Sequence, residues 1–355
     1  MNETLAEGRY RIERTLGYGG MAVVYLAHDE ELRRLVAIKV LAEHLSGDSA
    51  FRERFLQESR LASRLSHPNV VQVYDAGEAE GRPYIVMEYV EGDTLAERGK
   101  LAFEDAVPLA LQACAGLQHA HAAGLVHRDV KPANLLVRED DVLKIADFGI
   151  ARAAELTRLT QYGTVLGTAA YLAPEQAEGE EVTAAADLYS LGAVLYELLT
   201  GRPPYEFDSL PELIALQTSG AITPVRDLEP SVPEPVEAAV MHALARDPRF
   251  RPASAAALGH ELAAATELPT EPFLATAVTE PLQARTYRNI PGGSAWLWIA
   301  AAAALAAVVL GLLSLGDDGK PAATPQPASI EAPVRGATPA DEARNLSAWL
   351  RRHSG

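Results

Sequence analysis

The strongest constraint on this chain is a change of period near residue 94. Up to Val90, apolar residues come as short β-branched or aromatic runs: Val23-Val24-Tyr25-Leu26, Leu35 to Val40, Val70 to Tyr74, and Tyr84 to Val90. Bounded by Gly, Asp and Pro, such runs predict strands. One segment breaks the pattern. Phe51, Phe55, Leu61 and Leu65 recur at spacings of 4, 6 and 4 among charged residues, which predicts a helix. Beyond residue 94 the runs lengthen and fill with Ala and Leu, as in 106–121 and 184–199, flanked by Gly or Pro. A small sheet-rich half followed by a larger helical half predicts an α+β, two-lobed plan, with an N-lobe over 10–90 and a C-lobe over 91–265.

At 355 residues the chain exceeds one typical domain of ~100–200 residues, which agrees with two lobes plus accessory segments. Lys and Arg number 31 against 48 Asp and Glu, a formal net charge of −17. That balance argues against nucleic acid as the main partner, because phosphate contacts need a positive surface. A single cysteine, Cys114, excludes an intramolecular disulfide framework and a thiolate metal cluster. Lying in the Ala-rich pattern from Leu109 to His121, it is expected to be a small buried hydrophobe. Met1-Asn2-Glu3-Thr4 has no basic flank and no apolar run, so no cleavable signal peptide is expected.

Composition shifts at about residue 266. Prolines, threonines and glutamates mark 266–294 as a solvated juxtamembrane linker. Ala295 to Leu315 then runs 21 residues without a charge. As a helix this stretch is about 31 Å long, against a hydrocarbon core of ~30 Å, so a single transmembrane helix is expected over 295–315. Trp296 and Trp298 suit the headgroup interface. Arg285 and Arg288 precede the span, and Asp317, Asp318 and Lys320 follow it. That asymmetry places the globular part in the cytoplasm and 316–355 outside, as a short and mostly disordered tail.

Four motifs carry chemistry. Leu16-Gly17-Tyr18-Gly19-Gly20-Met21-Ala22 is a Gly-rich turn whose backbone N–H groups can approach phosphates. Val36-Ala37-Ile38-Lys39 puts a lysine in an apolar strand, which is costly unless the ammonium meets a negative partner. Glu58, on the one helix of this half, is the candidate partner and Glu53 its rival. The third is His127-Arg128-Asp129-Val130-Lys131-Pro132-Ala133-Asn134, and the fourth Ala146-Asp147-Phe148-Gly149. In phosphoryl transfer Asp129 would accept a hydroxyl proton, and Lys131 would neutralise charge on the moving γ-phosphate. Asp147 and Asn134 would supply oxygen ligands to Mg²⁺.

Together these motifs resemble eukaryotic-type Ser/Thr protein kinases, most closely the membrane-anchored kinases of bacteria, over roughly 10–265. The resemblance includes Ala173-Pro174-Glu175, Asp187, Gly192 and Arg251, and departs at Ala22, where the pattern has a third glycine. It implies ATP as phosphate donor with Mg²⁺, or Mn²⁺ in its place, and Lys39 on the α- and β-phosphates. Leu16, Gly17, Gly19 and Gly20 would cover the nucleotide. Val24, Ala37 and Leu136 would sandwich the adenine, with Met87 as gatekeeper and backbone bonds from Glu88 and Val90. Asp187 would brace the catalytic loop, and Glu175 would pair with Arg251. Thr168 would hydrogen-bond Asp129 and Lys131, and Lys131 points to protein Ser/Thr acceptors. Autophosphorylation is expected at Thr160 first, then Thr157 or Thr164, with Arg128 receiving the phosphate. Related bacterial kinases dimerise through the small lobe, so a homodimer is an open expectation. A membrane-tethered pseudokinase that only binds partners is the alternative. The presence of Lys39, Asp129, Asn134 and Asp147 weighs against it.

Overall fold

Side chains along a strand part to opposite faces, and one strand shows how this chain uses that rule. In β4 (Arg34–Leu41), Val36, Ile38 and Val40 pack with Tyr10, Ala27, Tyr84 and Val86 on one face. The alternate residues look the other way. Ala37 joins Val71, Met87 and Val90, Leu41 joins Phe55 and Ile85, and Lys39 lies between them in register. The lysine is thereby aimed at the second half of the chain.

The computed structural model describes residues 4–19, 22–148 and 169–266, apart from the side chains of Ala50, Arg54 and Glu58. The chain divides into two units, Met1–Thr279 and Glu280–Gly355, and every described residue belongs to the first. In the N-lobe, β1 (Thr4–Leu5), β2 (Tyr10–Tyr18), β3 (Ala22–Asp29), β4, β5 (Val73–Ala79) and β6 (Arg82–Glu88) form one six-stranded sheet. Its order is β1-β2-β3-β4-β6-β5, with antiparallel neighbours throughout. Helices α1 (Glu43–Ser46) and α2 (Ser49–Ala62) fill the connection from β4 to β5, and α2 buries Phe51 and Phe55.

Two sequence expectations need correction here. The helix ends at Ala62, so Leu65 lies beyond it and joins the core of the larger lobe. Val70 and Val71 do not extend β5. Val70 bridges Ile145, and the Val71 N–H donates to the Ile145 carbonyl at 2.9 Å. A partner 75 positions away draws the front of that run across to the other lobe, which no local period records.

The C-lobe begins with β7 (Gly92–Thr94) and α3 (Leu95–Arg98), and then α4 (Phe103–Ala122). A three-stranded antiparallel sheet joins β7 to β8 (Leu135–Arg138) and β9 (Leu143–Ile145). Next come α5 (Pro174–Glu178), α6 (Ala184–Thr200), α7 (Leu210–Ser219), α8 (Val225–Leu228), α9 (Glu234–Ala243) and α10 (Ala255–Thr266). Helix α6 is buried on nearly every face, which suits its continuous Ala/Leu composition. Two glycines permit its neighbours to close in. A Cβ on Gly192 would lie 2.9 Å from the Ala243 Cβ, and one on Gly116 of α4 would lie 2.8 Å from the Asn69 carbonyl oxygen. Cys114 is fully buried, and burial pushes its thiol up to about 12.

Among the described residues no helix is long and apolar enough to cross a membrane. The expected span at 295–315, the linker beyond Thr266 and the tail at 316–355 lie outside the described residues.

Candidate active site

Asp187, at the start of α6, organises the site from below. It is 1% exposed and accepts the backbone N–H of His127 and that of Arg128, each at 2.8 Å. His121 of α4 adds a third bond at 2.7 Å. These bonds hold Arg128 at φ +67°, a left-handed conformation that a non-glycine residue keeps only when its surroundings enforce it. The chain then turns so that Asp129 and Lys131 face each other, with Lys131 Nζ 2.8 Å from Asp129 Oδ2. Asn134 Nδ2 donates to the same oxygen at 3.1 Å and to the Asp129 carbonyl at 2.9 Å.

A buried imidazole connects this loop to the next motif. His127 Nδ1 accepts the Asp129 N–H, so the ring proton resides on Nε2, which donates to the Ala146 carbonyl at 3.0 Å. Burial favours the neutral ring, consistent with both bonds. The ring also packs on Phe148, with centroids 4.6 Å apart. In return the Ala146 N–H donates to the Asn134 carbonyl at 2.9 Å. Asp129, Asn134 and Ala146, the residue before Asp147, are therefore joined in one hydrogen-bonded unit.

Lys39 closes the site from the N-lobe. Its Nζ lies 3.1 Å from Asp147 Oδ1, and both residues line one cavity with Val71, Met87, Ile145 and Phe148. Asp147 has φ +57°. Although burial opposes ionisation, the charge and hydrogen bond of Lys39 hold the Asp147 carboxyl below its ordinary range. Among the described residues, none donates to Asp147 Oδ2 or Asn134 Oδ1. A carboxylate and an amide oxygen are donors of the kind that suits Mg²⁺, which takes few protein ligands and keeps several waters.

Next to this polar end lies an apolar one. Ala37, Met87 and Val90 cluster with Val71, and Val24, Leu136 and Ala146 pack against them. The Glu88 N–H donates to the Gln72 carbonyl at 2.8 Å, so of its two backbone groups only the carbonyl is left for a ligand. Leu16 and Gly17 lie in the last three residues of β2, and the Gly19 N–H donates to the Ala22 carbonyl at 2.8 Å to close the turn into β3. Gly20, Thr157, Thr160, Thr164 and Thr168 lie outside the described residues. So does the Glu58 side chain, although its backbone belongs to α2.

Sequence reasoning missed three supports. Asn69 ties the loop after α2 to the C-lobe: its Nδ2 donates to the Leu143 carbonyl and Gln112 Oε1, and its carbonyl accepts from Ile145. The signal was the His67-Pro68-Asn69 break just before Val70. Gln176 of α5 reaches the Arg128 carbonyl at 3.1 Å and so anchors the Ala173-Pro174-Glu175 segment to the catalytic loop. Lys144 of β9 bonds Glu88. The expected pair of Glu175 and Arg251 is bidentate, at 2.7 and 2.8 Å.

Known proteins are similar to this chain in sequence and fold. Serine/threonine-protein kinase PknB of Mycobacterium leprae is 45% identical over 265 residues, 72% of this chain and 42% of that protein. Serine/threonine-protein kinase PrkC of Bacillus subtilis is 47% identical over 249 residues, covering 69% and 38%. The chain thus spans about two fifths of the length of these curated relatives. The crystal structure of the Mycobacterium tuberculosis PknI kinase domain superposes with a TM-score of 0.58 at 29% identity, over 76% of this chain and 99% of that one. The protein kinase domain family model matches residues 10–263, the same two lobes that bring Lys39, Asp129 and Asp147 together, and the chain belongs to that family.

Proposed function

We propose that this chain transfers the γ-phosphate of ATP to serine or threonine hydroxyls of proteins. One observation carries the reading: Lys39 from one lobe meets Asp147 of the other in one cavity, and the residue before Asp147 is hydrogen-bonded to the loop that holds Asp129 and Asn134. Relatives named Ser/Thr kinases support it, and nothing in them supports the pseudokinase alternative.

Adenine would lie in the cluster of Val24, Ala37, Met87 and Leu136, meeting the Glu88 carbonyl and the Val90 backbone. Lys39 would turn from Asp147 to the α- and β-phosphates, with Glu58 as its partner. Leu16, Gly17, Gly19 and Gly20 would lie over the phosphates. Asp147 and Asn134 would hold Mg²⁺, which when bound neutralises the β- and γ-phosphate oxygens. Asp129 accepts the proton of the acceptor hydroxyl as its oxygen attacks the γ-phosphorus, and ADP leaves. Lys131 stabilises the transferred group, and Thr168 would link Asp129 and Lys131 to the acceptor segment.

Labelled ATP with a generic basic protein tests this. Incorporation should fall at least about 100-fold in Lys39→Met and in Asp147→Ala, the scale of losing a preorganised electrostatic contact. Incorporation unaffected by both would overturn the site.

Two further parts of the reading concern residues outside the description. Thr160, then Thr157 or Thr164, are proposed autophosphorylation sites, and 295–315 a membrane span with 1–294 on the cytoplasmic side. Phosphopeptide mapping of the membrane fraction tests both. Threonines unmodified in active enzyme, or kinase recovered only in the soluble fraction, would sink the corresponding part.

A further inference from the structure

Lys144 is a buried cation for which the reaction described above has no use. It occupies the middle of β9 between Leu143 and Ile145, which are fully buried, and its own side chain is 9% exposed. A lysine so placed is costly without a counter-ion. Among the described residues its hydrogen-bond partner is Glu88, at 2.9 Å. Glu88 is the last residue of β6, next to Met87 and two before Val90. The same carboxylate oxygen accepts the Gln72 N–H at 3.3 Å, while the Glu88 N–H donates to the Gln72 carbonyl. Across the ladder Lys144 pairs with Leu136, so both side chains rise on one face, Leu136 under the adenine cluster and Lys144 under Glu88.

We infer that Lys144 is a positioning residue for nucleotide binding. By tying Glu88 to β9, it sets the spacing between Leu136 below and Ala37 with Met87 above. It also links that end of the cleft to Asp147, which lies three residues after Lys144 and just past the end of β9. This inference rests on the kinase reading. ATP affinity should therefore depend on the tether more than turnover does.

The test measures kcat and KM for ATP, with Tm, on the full chain. Lys144→Met should raise KM for ATP about tenfold and leave kcat within about threefold. Lys144→Arg, which keeps a cation, should recover most of the affinity. Because Lys144→Met leaves the partly buried Glu88 carboxylate without its cation, the double variant Lys144→Met/Glu88→Gln is included. It should regain Tm but not affinity. An unchanged KM alongside a lowered Tm would overturn the inference and leave Lys144 structural, as would a double variant with normal KM. A wild-type chain that transfers no phosphate would instead overturn the kinase reading itself.

Discussion

Replacing Asp129 with asparagine is expected to lower phosphoryl transfer by about 10²–10⁴-fold, the range a positioned general base contributes. The substitution keeps shape and removes basicity. Asp129 Oδ2 now accepts from Lys131 Nζ at 2.8 Å and from Asn134 Nδ2 at 3.1 Å, which holds one carboxylate edge fixed. An asparagine can still offer one oxygen to that pair, while its amide has no lone pair able to take a hydroxyl proton at neutral pH. The bond to His127 Nδ1 uses only the backbone N–H of Asp129 and should persist. With the Asp129 side chain 14% exposed, the loop keeps a solvent outlet, and Tm should move by no more than about 2 °C. KM for ATP should stay within about threefold, since the adenine cluster contains no atom of Asp129. Steady-state kinetics with a peptide acceptor decide the matter. A kcat within threefold of the parent would mean that another group takes the proton.

What could be read from the sequence was local. Asp129, Lys131 and Asn134 lie within six positions, so one short motif carries all three, and the resemblance to protein kinases implies their roles. Lys39 was legible because it interrupts the apolar, β-branched run from Leu35 to Val40, which predicts a strand; the face it takes is seen only in the structure. The supports were hidden because they join distant positions. Lys144 meets Glu88 across 56 positions, His121 meets Asp187 across 66, and Asn69 meets the Leu143 carbonyl across 74. No window of the sequence contains both ends of such a bond. The small sheet of β7, β8 and β9 escaped for a different reason. Strands of three or four residues, as in Leu143–Ile145, are too short to display alternation.

The apolar runs show a related limit. Leu65 and Val70 continue the pattern of the N-lobe, yet both are buried in the core built around α4 and α6. Their hydrophobicity announces burial without saying in which lobe. The choice falls to Asn69, whose three hydrogen bonds fasten the loop between them to β9 and α4. Loops of this kind join two rigid bodies, so their residues belong to the site even where they touch no substrate.

Removing Arg251 should cost about 3–5 kcal/mol of stability, the penalty for leaving a buried charge without its partner. Its side chain is 0% exposed and that of Glu175 3%, so neither charge can turn to water when the other is lost. The guanidinium forks onto both carboxylate oxygens, and its remaining N–H groups reach the carbonyls of Ala185, Ala245 and Arg246. Arg251→Ala therefore orphans a carboxylate and three carbonyls together. For a domain of this size the loss corresponds to a Tm lower by about 6–20 °C. Arg251→Lys should recover only part, because a single ammonium cannot reproduce the fork. The double variant Arg251→Leu/Glu175→Leu separates pair from packing: by leaving no uncompensated charge, it should be more stable than Arg251→Ala. Activity should fall more than folded fraction does, since Glu175 precedes Gln176, the residue that carries α5 to the Arg128 carbonyl. Thermal unfolding beside kinetics below the transition measures both. An Arg251→Ala protein within about 1 kcal/mol of the parent would show that α5 is held by its apolar contacts and that the pair adds little.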